Sequence, residues 1–506
     1  MNHWVIAPVL LPWLTAILLL LAGRASLGWR RRASVAAAIA QIGLALVVAE
    51  KVGGGDILVY ALGHWPAPFG IVLVADRLAA WMLVVTAFLA LFALLYAIRG
   101  DDAAGSHFHS LFQLQLFGLN GAFLTGDLFN LFVFFEVLLI ASYGLLLHGG
   151  GRRRTRAGLQ FVAVNLVGST VFLFAVGTLY GVLGTLNMAD LALKVAATPP
   201  ANAPLVRAAG LLLFGVFALK AALLPFYLWL PAAYAQTGAP VAALFAIMTK
   251  VGAYGILRVY PLIFGAGAGP AANLIEPWLL PLALATSGVG MVGALASTHL
   301  RQQVAYLVVA SVGSLLLAFG LDNASGIAAG LYYLPHTTFA AAALFLLADS
   351  IAHRRGELGD RLDPGSTVAS AGVLGSLFFV VAVAVAGLPP LSGFLAKFLT
   401  LRAALAHPWL PWIMAVVLVT GLFGLIALGR TGSLLFYRAL PPETPPAPEE
   451  SSGLARELAP AVGLLLLVVG MTVAAGPIAE GAQAVADQLL QPQRYIQAVI
   501  APGGMP

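Results

Sequence analysis

The 506-residue chain has no cysteine, so it holds no disulfide, iron–sulfur cluster or thiolate metal site. Charge is almost as scarce. Charged side chains make up 9% of the residues, against about 25% in soluble domains. No group of metal-ligand residues and no Ser/His/Asp arrangement is evident, and glycine-rich stretches such as GGGRRR follow no phosphate-loop pattern. No cofactor, metal or nucleic-acid partner is expected.

What fills the chain is apolar. Hydrophobic residues reach 61% and mean hydropathy is +0.96, the composition of a polytopic membrane protein. The first apolar run lacks the preceding positive charge of a signal peptide. Its charge follows instead, at Arg24 and Arg30–Arg32, so it reads as an uncleaved first span with its N-terminus outside.

The expected fold is all-α, with about fourteen transmembrane helices. They fall near 4–23, 33–52, 77–98, 109–125, 127–148, 157–181, 205–231, 239–264, 277–298, 301–321, 325–351, 368–405, 409–437 and 454–476. A polar-faced surface helix is expected over 478–495, another surface segment at TLNMADLALK, and a Pro/Glu-rich linker over 441–452.

Arginine sets the orientation. Sixteen arginines, including Arg152–Arg154 and Arg301, lie in or beside one set of loops, and seven basic residues, including Arg77 and Arg258, on the other side. The positive-inside rule then places both termini outside a bacterial inner membrane.

Two spans carry breaks. LKAALLPF interrupts the seventh and AGLPPLSGFLAKF the twelfth. Paired broken segments suggest inverted repeats around a midplane ion pathway. The expected organisation is three N-terminal helices (1–108), one five-helix repeat (109–264), a second (265–437), and a linker, last span and surface helix (438–506).

Of five lysines, three are intramembrane: Lys220, Lys250 and Lys397. Glu136 is central in the fifth span and His336 in the eleventh. A charge at a span centre costs about 2.5–3.5 kcal/mol on the insertion scale, so each needs a partner or water. A desolvated lysine can lose its proton whereas arginine cannot. A Glu136–Lys220 pair whose separation changes would gate protons; a static pair that fixes helix packing is the alternative. Lys397 is near enough to the outer half to snorkel, and His336 reads either as a satisfied core histidine or as a relay. Asp349 reads as a solvated boundary residue.

The segments FNLFVFFEVLLIASYGLL, LKAALLPFYLWLPAAYAQTGAPVAAL and GLPPLSGFLAKF resemble the antiporter-like subunits that respiratory complex I shares with the Mrp multisubunit cation/proton antiporters. The resemblance covers residues 60–440. NLVGSTVFLFAVGTLYGVLGTLNMADLA is similar to the D-type (PhaD-like) branch of the Mrp subunits. It implies fourteen helices with two inverted five-helix repeats. It also implies a proton relay through Glu136, Lys220, Lys250, His336 and Lys397, coupled to Na+ or K+ efflux, with other membrane subunits as partners. Many relatives carry a lysine five positions after the histidine, where this chain has Ala341. The alternative function is a proton-pumping member of a complex I or membrane-bound hydrogenase type redox complex.

Overall fold

The structure is a computed structural model describing residues 2–23, 25–365, 368–438 and 451–500. Arg24 and residues 441–450 of the expected linker lie outside them. The helices in order are α1 (Ala7–Leu21), α2 (Leu27–Gly53), α3 (Arg77–Ala97), α4 (Phe108–Leu124), α5 (Leu128–Leu147), α6 (Arg152–Leu183) and α7 (Met188–Ala196). Then come α8 (Ala203–Ala221), α9 (Trp229–Gln236), α10 (Ala239–Phe245), α11 (Met248–Ile263), α12 (Glu276–Ala296), α13 (Leu300–Phe319) and α14 (Ala324–Arg354). The last are α15 (Ala371–Ala386), α16 (Ser392–Ala403), α17 (Leu410–Gly432), α18 (Ser451–Val473), α19 (Ala475–Leu489) and α20 (Pro492–Ile500).

Among the described residues, eleven helical stretches are long and apolar enough to cross a membrane, so the chain is a polytopic membrane protein. Starts are written locally. Asp76, Asp127, Asn187 and Asn323 each accept a hydrogen bond from a first-turn backbone N–H of α3, α5, α7 and α14, satisfying donors that a helix leaves free.

Burial separates the inner spans from the outer ones. The stretch Ala239–Ile263 is buried along its whole apolar window and Ala324–Arg354 over 94% of it, against 28% for Leu410–Tyr437. The α14 helix packs against α10, α13, α16, α18 and α19. Lys250 and His336 therefore belong to the two most enclosed spans.

Both expected breaks are present and built alike. Helix α8 ends at Ala222 in the left-handed region (φ 60°), and Leu223 N–H bonds back to Ala218 O. Helix α15 ends at Gly387 (φ 75°), and Leu388 N–H bonds back to Val383 O. In each, a left-handed residue and a leucine precede proline, the Schellman way of ending a helix. A third irregularity was not expected. Between α10 and α11 the chain tightens: Ala246, Ile247 and Lys250 donate to carbonyls three residues back, a 3₁₀ step inside one span.

Three expectations change. The segment 478–495 is two helices, α19 and α20, which bury Val485, Gln488, Tyr495 and Val499 instead of one polar-faced surface helix. A short antiparallel hairpin, β1 (Leu58–Ala61) and β2 (Val72–Ala75), precedes α3. Asp349 is buried, not solvated.

Candidate functional site

Glu136 and Lys220 do not form a direct ion pair among the described residues. Helix α6 stands between them. Ser169 donates its hydroxyl to Glu136 Oε1, and Lys220 Nζ donates to Asn165 Oδ1 at 3.0 Å. Asn165 and Ser169 are four residues apart, so they share a helix face. Asn165 also donates to Phe161 O at 2.9 Å, which fixes its oxygen toward the lysine. Lys220 occupies the last turn of α8, where the negative pole of the helix favours a cation. The break leaves Leu219 O to accept from the Trp229 indole at 3.1 Å. A cavity of about 10 Å³, lined in part by Asn165, Lys220, Trp229 and Met248, leads from this lysine toward α11; it is room for a single water.

Lys250 follows the 3₁₀ step. It is 0% exposed, and among the described residues neither its ammonium nor the neighbouring Thr249 hydroxyl has a hydrogen-bond partner. Such groups are rare because of their desolvation cost. Gly252 lets α11 reach the break in α8: a β-carbon there would lie 2.7 Å from Phe217 O and 2.8 Å from the Lys220 carbonyl carbon.

His336 is 2% exposed. Ser392 Oγ lies 2.8 Å from its Nδ1 and donates in turn to Val468 O at 3.2 Å. The first turn of α16 passes against the ring, where a β-carbon at Gly393 would sit 2.9 Å from His336 Nε2. A cavity of about 40 Å³ is bordered by His336, Ala341, Ser311, Ser314, Tyr333 and Lys397, enough for water. Ala341 therefore faces space rather than packed side chains. Lys397 is half-buried and donates to Ala386 O at 2.6 Å. It caps the last carbonyl of α15 across the break instead of snorkelling.

Sequence reading missed the partners of these charges. Asn165, Ser169 and Ser392 are uncharged, and nothing in their spacing marks them. It also gave Arg258, counted with the outer basic residues, no partner. Arg258 is 3% exposed within α11 and holds Asp76 through two hydrogen bonds of 2.5 and 2.7 Å. Its Nε donates to the Tyr254 hydroxyl at 3.1 Å, and the Tyr495 ring of α20 covers it at 5.5 Å. Asp349 accepts hydrogen bonds from Arg301 and from Tyr96.

Residues 125–424 match the family described as NADH:quinone oxidoreductase/Mrp antiporter, transmembrane. The chain is 39% identical to the D-type subunit of a probable K(+)/H(+) antiporter of Rhizobium meliloti, over 99% of its own length and 98% of that protein. It is 37% identical to the D-type subunit of the Na(+)/H(+) antiporter of Alkalihalophilus pseudofirmus, over 99% of this chain and 100% of that one. A chain of the Mrp complex from Dietzia sp. DQ12-45-1b superposes with a TM-score of 0.87 at 28% identity, over 99% of this chain and 100% of that chain. With relatives matched end to end, the chain belongs to the NADH:quinone oxidoreductase/Mrp antiporter family, among its D-type antiporter subunits.

Proposed function

We propose that this chain is the D-type membrane subunit of a multisubunit Na+ or K+/proton antiporter, and that it carries protons along Glu136, Lys220, Lys250, His336 and Lys397. Its place in the family supports the first part. The observation that carries the second is the gradation of burial and pairing along these five groups. The middle three are almost wholly enclosed, and Lys250 has no hydrogen-bond partner among the described residues. The outer two, Glu136 and Lys397, are only half-buried, where neighbouring subunits can meet them.

The chemistry follows from the partners. Ser169 can pass a proton to or from Glu136, because a hydroxyl both donates and accepts. Asn165 has no proton to give to Lys220; it holds the ammonium and releases it when the proton leaves. Water in the cavity beside Ala341 would stand where many relatives have a lysine. The two breaks, each closed by the same hydrogen-bond pattern, support two inverted repeats, α4–α11 and α12–α17. The arginine-rich loops support both termini outside a bacterial inner membrane.

The test is cation-driven proton flux in vesicles holding the whole complex, with Na+ and K+ supplied separately. Lys220→Arg keeps a cation beside Asn165 but cannot release its proton. We expect normal assembly and at least a tenfold loss of flux. Wild-type flux in that variant would leave Lys220 a structural cation; no flux from the wild-type complex with either ion would sink the antiporter reading.

A further inference from the structure

A second polar region lies away from the five relay groups. It is a cavity of about 530 Å³ between the end of α3, the turn Asp101–Ala104, the end of α14 and the start of α18. It faces solvent: the His353 side chain at its rim is 73% exposed, while Asp349 at its floor is 9% exposed. Most of its charges are spoken for. Asp349 is held by Arg301 and Tyr96. Glu457 receives two 2.8 Å hydrogen bonds from Arg354, with Arg99 at 3.5 Å.

Asp101 differs. Among the described residues no cation lies within ion-pair distance of its carboxylate. Its backbone carbonyl is taken by His148 Nε2 at 2.9 Å. Its carboxylate instead lies at the head of α10, where a β-carbon at Gly238 would be 3.6 Å from Asp101 Oδ1. From Gly238 the chain climbs through α10 and the 3₁₀ step to Lys250, about 18 Å away at helical rise.

The neighbouring carboxylate is the internal contrast. Burial alone would raise Asp102, but hydrogen bonds from Arg31 and His109 outweigh it and hold it at about 2. Asp101 is pushed up to about 6, first by burial and then by Asp349, against the pull of Arg301, His353 and Arg154. Adjacent carboxylates driven apart in this way take different roles. Asp102 is held by Arg31 of α2, while Asp101 keeps the higher affinity for its proton.

We propose that Asp101 is the group through which protons pass between this vestibule and the relay at Lys250: an unpaired carboxylate in a solvent-facing cavity, at the head of the span that carries Lys250. The step is plain proton exchange, from vestibule water onto a carboxylate oxygen and off again, with no other bond changed. The proposal rests on the antiporter reading above.

Asp101→Asn and Asp101→Glu are compared in vesicles holding the whole complex, with flux normalised to assembled complex and measured from pH 5 to 8 on the vestibule side. For Asp101→Asn we expect at least a fivefold loss and a flattened pH profile around 6. Asp101→Glu should restore most of the rate with a slightly displaced profile. Wild-type rate and profile in Asp101→Asn would overturn the proposal. So would a change confined to half-saturation by Na+ or K+, which would make Asp101 a cation ligand. Equal loss in both variants would also overturn it, because a merely space-filling role would explain that. Wild-type flux intact beside any of these results separates failure here from failure of the antiporter reading.

Discussion

Asn165 has no titratable proton, yet it is the residue that holds Lys220. Under the proposed relay, a neutral acceptor would let the lysine give up its proton without stranding a buried carboxylate. Asn165→Asp would replace it with a charged partner of nearly the same shape, and a buried ion pair resists neutralisation. We expect Asn165→Asp to assemble normally and to lose cation-driven proton flux at least tenfold, while Asn165→Ser keeps part of it. Full flux in Asn165→Asp would mean that Lys220 never has to release its proton. The candidate groups Glu136, Lys220, Lys250, His336 and Lys397 stood out in the sequence because a charge in an apolar run is costly and therefore conspicuous. Asn165 and Ser169 in NLVGSTVF and Ser392 in GLPPLSGF did not, since a lone amide or hydroxyl costs far less to bury than a charge and looks like ordinary helix packing. Arg258's partner was hidden for a related reason: the sequence reading counted it only as one of the outer basic residues, and only the fold brings Asp76 to it from the start of α3.

The two broken spans differ in one residue at the same structural place. Ala222 adopts the left-handed conformation with a β-carbon, whereas Gly387 adopts it without one. The β-carbon costs about 1–2 kcal/mol there, so Ala222→Gly should raise the unfolding midpoint of the purified complex without lowering flux. Gly387→Ala should do the opposite. Beyond the backbone penalty, its β-carbon would fall 2.7 Å from Cδ, Cε and Nζ of Lys397, displacing the ammonium from Ala386 O. A thermal-shift measurement with parallel flux assays decides this: Gly387→Ala with wild-type stability and rate would remove the idea that the glycine makes room for the lysine. Breaks of this kind were visible in advance because proline and glycine punctuate helices. The 3₁₀ step before Lys250 was not, because AALFAIMTK contains neither. The hairpin of β1 and β2 escaped for lack of length, each strand having four residues.

Across the molecule, the wet and dry features are sorted by depth. The vestibule beside Asp101 opens among the arginine-rich loops, and the Asp76–Arg258 network closes the other face. If the arginine bias reports orientation, Thr155, exposed just inside α6, faces the cytoplasm. A single cysteine at Thr155 should react with a membrane-impermeant maleimide only after permeabilisation, and one at exposed Trp65 in intact cells. Reversed labelling would invert the membrane orientation, and with it the side that Asp101 serves. The chain has no native cysteine to confuse the experiment.

The Asp76–Arg258 pair also bears on how the chain is made. Tyr495 of α20 covers the guanidinium, while Gln488 and Arg494 reach back to Gly55 O, and Arg77 reaches Ala484 O. Arg258 is thus synthesised and inserted well before the ring that shields it, since chains fold from the N-terminus during translation. A nascent copy carries an incompletely sealed charge until its last helices dock. Quality-control proteases therefore have a physical cue for an unfinished copy, and a ribosome that stops short of α20 should yield a chain degraded rather than assembled.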